Sequence, residues 1–174
     1  RPAQRAQGRP WGKREHGAGD AAVKGPARRA GAPRTPLPAL VGRDAEAYSL
    51  VSEAYKLPKE PAAAAARRAE AVTAALLKAA EVPLETARAS VEVAQLAALV
   101  AEKGNTNAVT DAGVAALLAQ AACKGAAYNV RVNVQALDDK SRGEALAREA
   151  EKLVKRAGEF TARATSAVER ALSG

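Results

Sequence analysis

Residues 104–134 read GNTNAVTDAGVAALLAQAACKGAAYNVRVNV, and the fold class turns on how they are read. Gly104, Asn105 and Asn107 form a turn signal, because glycine and asparagine tolerate tight backbone and the amide side chain bonds locally. Thr110 or Asp111 stands where a helix cap belongs. The run that follows is almost entirely small or apolar, the composition of a helix buried on most of its sides. Its end, Val130-Arg131-Val132-Asn133-Val134, alternates with the period of a strand. No other segment offers a partner strand, so this end reads as the last turns of the helix leading into a connection. The chain is therefore expected to be all-α, a bundle of about five helices.

The flanking sequence agrees. Upstream, Ala47, Leu50, Val51, Ala54 and Tyr55 recur at helical spacing until Pro58. A second helix is expected to open near Pro61, which suits a first-turn position, and to run through a stretch dense in alanine. Pro83 is expected to break or kink it, since proline lacks the amide hydrogen and crowds the preceding turn. A third segment follows from Pro83 to Lys103, with Gly104 as its stop. Downstream, Asp138 or Asp139 caps a last long helix in which Leu146, Leu153, Phe160 and Ala167 recur every seven residues as a packing seam. Cys123 reads as a small buried residue.

Charge and composition divide the 174 residues at one place. The formal charge of +8 lies wholly in residues 1–43, with 10 Lys and Arg against 2 Asp and Glu; residues 44–174 hold 17 of each sign. The same 43 residues carry 8 Arg, 9 Ala, 7 Gly and 6 Pro, a composition expected to sustain neither helix nor strand. Residues 1–43 are thus expected to be a disordered basic segment, an out-of-frame translation of GC-rich DNA or a true tail, and 44–174 a helical domain. Trp11 would offer the tail one stacking surface for nucleic acid, but arginines scattered without periodicity favour a solvated leader, with no nucleic-acid role in the folded part. No apolar run is long enough to span a membrane and no secretory signal is legible, so a cytoplasmic protein is expected. One histidine and one cysteine exclude a multi-cysteine zinc site and make Ser–His or Cys–His catalysis a poor fit.

Three clusters hold more polar residues than a plain bundle needs: Asp44-Ala45-Glu46-Ala47-Tyr48, Gly104-Asn105-Thr106-Asn107 with Asp111-Ala112-Gly113, and Asn129-Val130-Arg131-Val132-Asn133. In order and spacing, DAEAYSLVSEAYKLPKE, the EVPLE step, GNTNAVTDAGVAALLAQAA and NVRVN resemble the cyclodeaminase/cyclohydrolase domain of the formiminotransferase-cyclodeaminase family, over residues 43 to about 172. The resemblance implies a homodimeric folate enzyme that needs no metal. One branch of that family cyclises 5-formiminotetrahydrofolate to 5,10-methenyltetrahydrofolate with release of ammonia; another hydrates the methenyl compound to 10-formyltetrahydrofolate. Both reactions move protons to and from nitrogen or water, work that suits a positioned carboxylate.

By that resemblance the acid/base residue matches Asp44. Read locally, Asp44 stands at a helix N-cap, where its carboxylate would accept free amide hydrogens; the two roles are compatible, although a carboxylate held by amides is a weaker base. Asn105, Asn107 and Asp111 are candidate ligands for the pterin, or simply turn and cap residues. Asn129, Arg131 and Asn133 need partners among the valines, either helix ends of the fold or the substrate. Arg131 is suited to a bidentate pair with the glutamate carboxylate of folate.

The family's opening helices and its Ser-x-x-Pro-Gly-Gly-Gly-Ser loop have no counterpart in residues 1–43. The domain thus reads as incomplete at its N-terminus, with weak or absent activity as it stands. A rival reading from another class is a non-catalytic helical interaction domain with a basic tail.

Overall fold

The computed structural model describes residues 37–173, and all regular structure in them is helical. Four α-helices follow one another: α1 Leu37–Lys56, α2 Ala62–Lys103, α3 Val109–Gln135 and α4 Glu144–Ser173, with 3-10 turns at Thr106–Ala108 and Lys140–Gly143 before the last two. The alternating Val130–Val134 segment lies inside α3, as the missing partner strand implied.

Alanine sets how close the helices come. Ala80, Ala87, Cys123, Val130, Ala150 and Ala157 are fully buried along the centre, where α2, α3 and α4 meet. Leu84 and Val130 are the bulkiest apolar side chains fully out of contact with water, so the core relies on close backbone approach rather than on large side chains. A second cluster, Ala97, Ala98, Ala116 and Ala164, closes one end. The pairings give directions: α3 runs antiparallel to α2 and α4, and α4 runs parallel to α2. Helix α1 lies antiparallel on the first half of α2, with Leu40 and Ala47 on Ala79 and Val82.

Four expectations change. The first helix begins at Leu37 rather than Asp44, so helical structure crosses the expected boundary at residue 43, and Asp44 lies inside α1 rather than at its N-cap. Pro83 interrupts nothing: the second and third expected helices are the single 42-residue α2, about 63 Å long at 1.5 Å per residue. The described residues therefore hold four α-helices rather than about five. Helix α3 starts at Val109, after a turn in which the Asn105 side chain accepts from the Asn107 amide at 3.0 Å. Neither Thr110 nor Asp111 caps it, although Asp111 in the first turn puts negative charge where exposed helix amides favour it. Finally, α3 is buried on one side only. Val114, Leu117, Leu118, Tyr128 and Val132 are exposed on the other, Leu118 at 66% and Val132 at 63%.

Four further readings hold, while the expected disorder of the basic segment over residues 1–36, Trp11 included, lies outside the described residues. Gly104 ends α2: its amide donates to the Val100 carbonyl at 2.8 Å, and a side chain there would run into that same carbonyl oxygen. Asp139 rather than Asp138 caps the approach to α4, accepting from the Ser141 amide at 3.0 Å and its hydroxyl at 2.6 Å. The seam of α4 faces inward, with Leu153 and Ala167 buried and Leu146 and Phe160 half-buried. Cys123 is buried, and burial pushes its thiol pKa up.

Candidate functional site

The polar residues collect at two levels of the bundle. The first surrounds Pro83. Arg43 of α1 grips Glu85 of α2 with two hydrogen bonds of 2.6 and 2.7 Å, and Ala47 one turn on is buried against Ala79 and Val82. These contacts hold the turn that carries Asp44 against residues 79–85 of α2. From α3, Asn133 reaches the same stretch, donating from Nδ2 to the Ala79 carbonyl at 3.1 Å and to the Asn129 carbonyl at 3.0 Å. Asp44 is exposed in mid-helix, and Tyr48 one turn along is 74% exposed. Asn129 and Arg131 are exposed on α3, and Arg131 has no partner among the described residues.

The second level is the turn after α2, where Asn105, Asn107 and Asp111 are all exposed. It lies 20 residues of α2 beyond Pro83, about 30 Å at 1.5 Å per residue. One copy of the chain therefore brings Asp44, Asn129, Arg131 and Asn133 to a common level and keeps Asn105, Asn107 and Asp111 at another.

The ion pairs that tie the helices together were not singled out by the sequence reading. Besides Arg43–Glu85, Arg88 forks onto Glu149 at 2.7 and 2.8 Å, Arg142 onto Glu70 at 3.0 and 3.1 Å, and Arg163 onto Glu102 at 2.9 and 2.8 Å. All four bridge different elements, and their partners are 42 to 72 residues apart in sequence. The hydrogen bonds from these guanidinium groups are the main cause holding the Glu70, Glu85, Glu102 and Glu149 carboxyls below the usual range. No local pattern announces such pairs, because each needs the helix register to be known. The signal available in sequence was only the density of Arg and Glu on the polar faces.

Among the described residues no group of three or more His, Cys, Asp or Glu is placed to hold a metal ion, and no helix is long and apolar enough to cross a membrane. An open cleft of about 440 Å³ lies between α1 and α2, lined by Leu50, Ala54, Leu57 and Ala75 with Glu53 and Lys78 among its walls. Its chemistry is mainly apolar, and it does not include the first-level polar residues.

The class so defined is an all-α bundle in which exposed carboxylate, amide and guanidinium groups share a level with a proline inside its longest helix. Comparison with known proteins narrows this. A model of the formiminotransferase-cyclodeaminase family matches residues 11–152, and the chain belongs to that family. It is 43% identical over 130 residues to the methenyltetrahydrofolate cyclohydrolase of Methylorubrum extorquens, covering 75% of this chain and 62% of that protein. It is 34% identical over 103 residues to the formimidoyltransferase-cyclodeaminase of Mus musculus, covering 59% of this chain and 19% of that one. The formiminotetrahydrofolate cyclodeaminase of Thermotoga maritima, a crystal structure, superposes with a TM-score of 0.66 at 26% identity, covering 76% of this chain and 62% of the other. The chain thus spans less than two thirds of the length of each of these relatives.

Proposed function

We propose that this chain carries a folate-dependent methenyltetrahydrofolate cyclohydrolase or formiminotetrahydrofolate cyclodeaminase activity. The observation that carries the reading is the 43% identity to a cyclohydrolase across three quarters of the chain. The cyclodeaminase alternative draws support from the structural likeness to an enzyme of that name.

In the cyclohydrolase direction, water adds to the carbon bridging the two folate nitrogens, and the proton it sheds goes to a carboxylate. The bond from that carbon to one nitrogen then breaks, and that nitrogen takes up the proton. The hydroxyl left on the carbon releases its own proton to solvent as the formyl carbonyl forms on the other nitrogen. In the cyclodeaminase direction, ring closure expels ammonia from the formimino carbon, and the departing nitrogen needs a proton. Either course asks for one group that accepts and returns a proton, and a positioned carboxylate contributes about 100- to 10,000-fold. Asp44 is our candidate. It is open to solvent rather than consumed as a helix cap, and the Arg43–Glu85 fork beside it fixes the rotation of its helix. Arg131, with its guanidinium unpaired among the described residues, is our candidate to meet a substrate carboxylate. Asn105, Asn107 and Asp111 would serve the same ligand only from a second copy of the chain.

Such a second copy fits the exposed side of α3. Leu118 and Val132 lie seven residues to either side of Gly125, beside which a side chain would meet nothing within 4 Å. A two-fold antiparallel crossing at Gly125 would set the two copies' apolar faces together, with Leu118 on Val132. We therefore read the protein as a homodimer acting on folate in the cytoplasm.

The test is Asp44→Asn, followed by the ultraviolet absorbance of methenyltetrahydrofolate. Turnover should fall at least a hundredfold with helicity unchanged. Unaltered turnover would remove Asp44 from the chemistry, and loss of folate binding by the parent protein would remove the reading itself.

A further inference from the structure

A proline inside an α-helix leaves one carbonyl without its donor, that of the residue four positions earlier. In α2 this carbonyl belongs to Ala79, a buried residue, because residue 83 is the proline. Leaving a buried acceptor unpaired costs free energy, yet α2 continues unbroken through Pro83 for another 20 residues. The donor comes from elsewhere in the chain: Asn133 Nδ2 lies 3.1 Å from the Ala79 oxygen. The other hydrogen of the same amide goes to the Asn129 carbonyl at 3.0 Å. Both donors of Asn133 are therefore spent on backbone, which also fixes which end of the carboxamide is nitrogen.

We infer that Asn133 is a positioning residue rather than a substrate ligand, and that it acts through Pro83. Its side chain replaces the amide hydrogen that Pro83 cannot supply and thereby locks α3 onto residues 79–85 of α2. Those are the residues on which α1 rests through Ala47 and Arg43, so the lock sets the surface that carries Asp44. Proline is useful here because it frees the carbonyl for a cross-helix bond that an ordinary residue would close within its own helix. The functional half of this inference rests on the folate reading; the structural half does not.

The partnership predicts a specific non-additivity, since groups that share one hydrogen bond do not contribute independently. Asn133→Ala in the parent chain should lower Tm by about 4 °C, the loss expected for one buried acceptor left bare in a domain of this size. With Pro83→Ala already present, residue 83 has its own amide hydrogen for Ala79, and the same Asn133→Ala change should move Tm by less than about 1 °C. Hydrogen exchange in Asn133→Ala should rise first over residues 76–86 and 43–50, ahead of α4. Turnover, assayed well below the Tm of every variant, should fall about tenfold in Asn133→Ala and recover in the double variant.

Equal Tm losses in both backgrounds would overturn the pairing of Asn133 with Pro83. Coupled Tm values with unchanged turnover in fully folded Asn133→Ala, or uniform loss of exchange protection, would overturn the positioning role. Turnover that stays low in a double variant of restored Tm would make Asn133 a ligand after all. If the parent chain neither binds nor turns over folate, the folate reading fails, and the Tm cycle with the exchange pattern still decides the lock.

Discussion

Gly143 and Gly42 give opposite expectations for the same substitution. Gly143 is buried at the entry to α4, and a methyl group there would come within 2.8 Å of both branches of Val134 and 2.9 Å of Leu137. Gly143→Ala should therefore destabilise by about 1–3 kcal/mol through overpacking. Gly42 is exposed within α1, with nothing within 4 Å of the added atom and no left-handed backbone. Gly42→Ala should stabilise by about 0.5–1 kcal/mol by restricting the unfolded chain. Urea unfolding of the two variants measures both signs, and a loss of stability in Gly42→Ala would show that α1 is held in a way its exposure does not reveal. At this scale the sequence was partly legible. Cys123 and Gly104 took the places their chemistry indicated, whereas Asp44 did not cap a helix, because the chain had already turned helical at Leu37.

Between elements, four Arg–Glu forks tie α2 to its neighbours. They are largely open to water, so each contributes modestly and is screened by salt. Together they impose a direction on the pH dependence. Glu70, Glu85, Glu102 and Glu149 have carboxyl pKa values lowered by the fold, so the unfolded chain binds protons first as pH falls. Their stabilisation is fully present above the ordinary glutamate pKa of about 4.3 and drains away as pH drops below it through the lowered folded values. Thermal scans from pH 7 to pH 3 should show a Tm plateau above about pH 5 and a steep decline below about pH 4.3. Glu85→Gln with Glu149→Gln should flatten that decline, and an unchanged slope would assign the acid loss to other groups. Element boundaries failed in the sequence reading at Pro83 for a related reason. The local cost of an interior proline is visible in sequence, but the donor that offsets it lies 54 residues from Ala79.

For the whole molecule, the decisive surface is the uncovered side of α3. Its apolar residues form one stripe along the helix, of a kind that commonly marks an interface. If that stripe joins two copies, Leu118→Glu should convert a dimer to a monomer in light scattering coupled to gel filtration, with helicity preserved. A parent chain that is monomeric at tens of micromolar would refute the dimer. The sequence reading expected this helix to be buried on most of its sides from its composition, and it does contact both α2 and α4. Composition alone did not reveal that only one of its sides is covered within residues 37–173.

The sequence by itself determined that the chain is helical, where most turns fall, and to which family it belongs. These follow from hydrophobic period, turn residues and the order of short motifs, all of them local along the chain. Only the tertiary structure decided that Pro83 lies within a single helix, that Asn133 supplies its missing hydrogen bond, and that the candidate polar residues divide between two levels of the bundle. Those outcomes depend on helix register and crossing, where one residue's rotation of about 100° changes which side chains meet. Such geometry is set by packing alanine against alanine over long distances in sequence, and no local pattern records it.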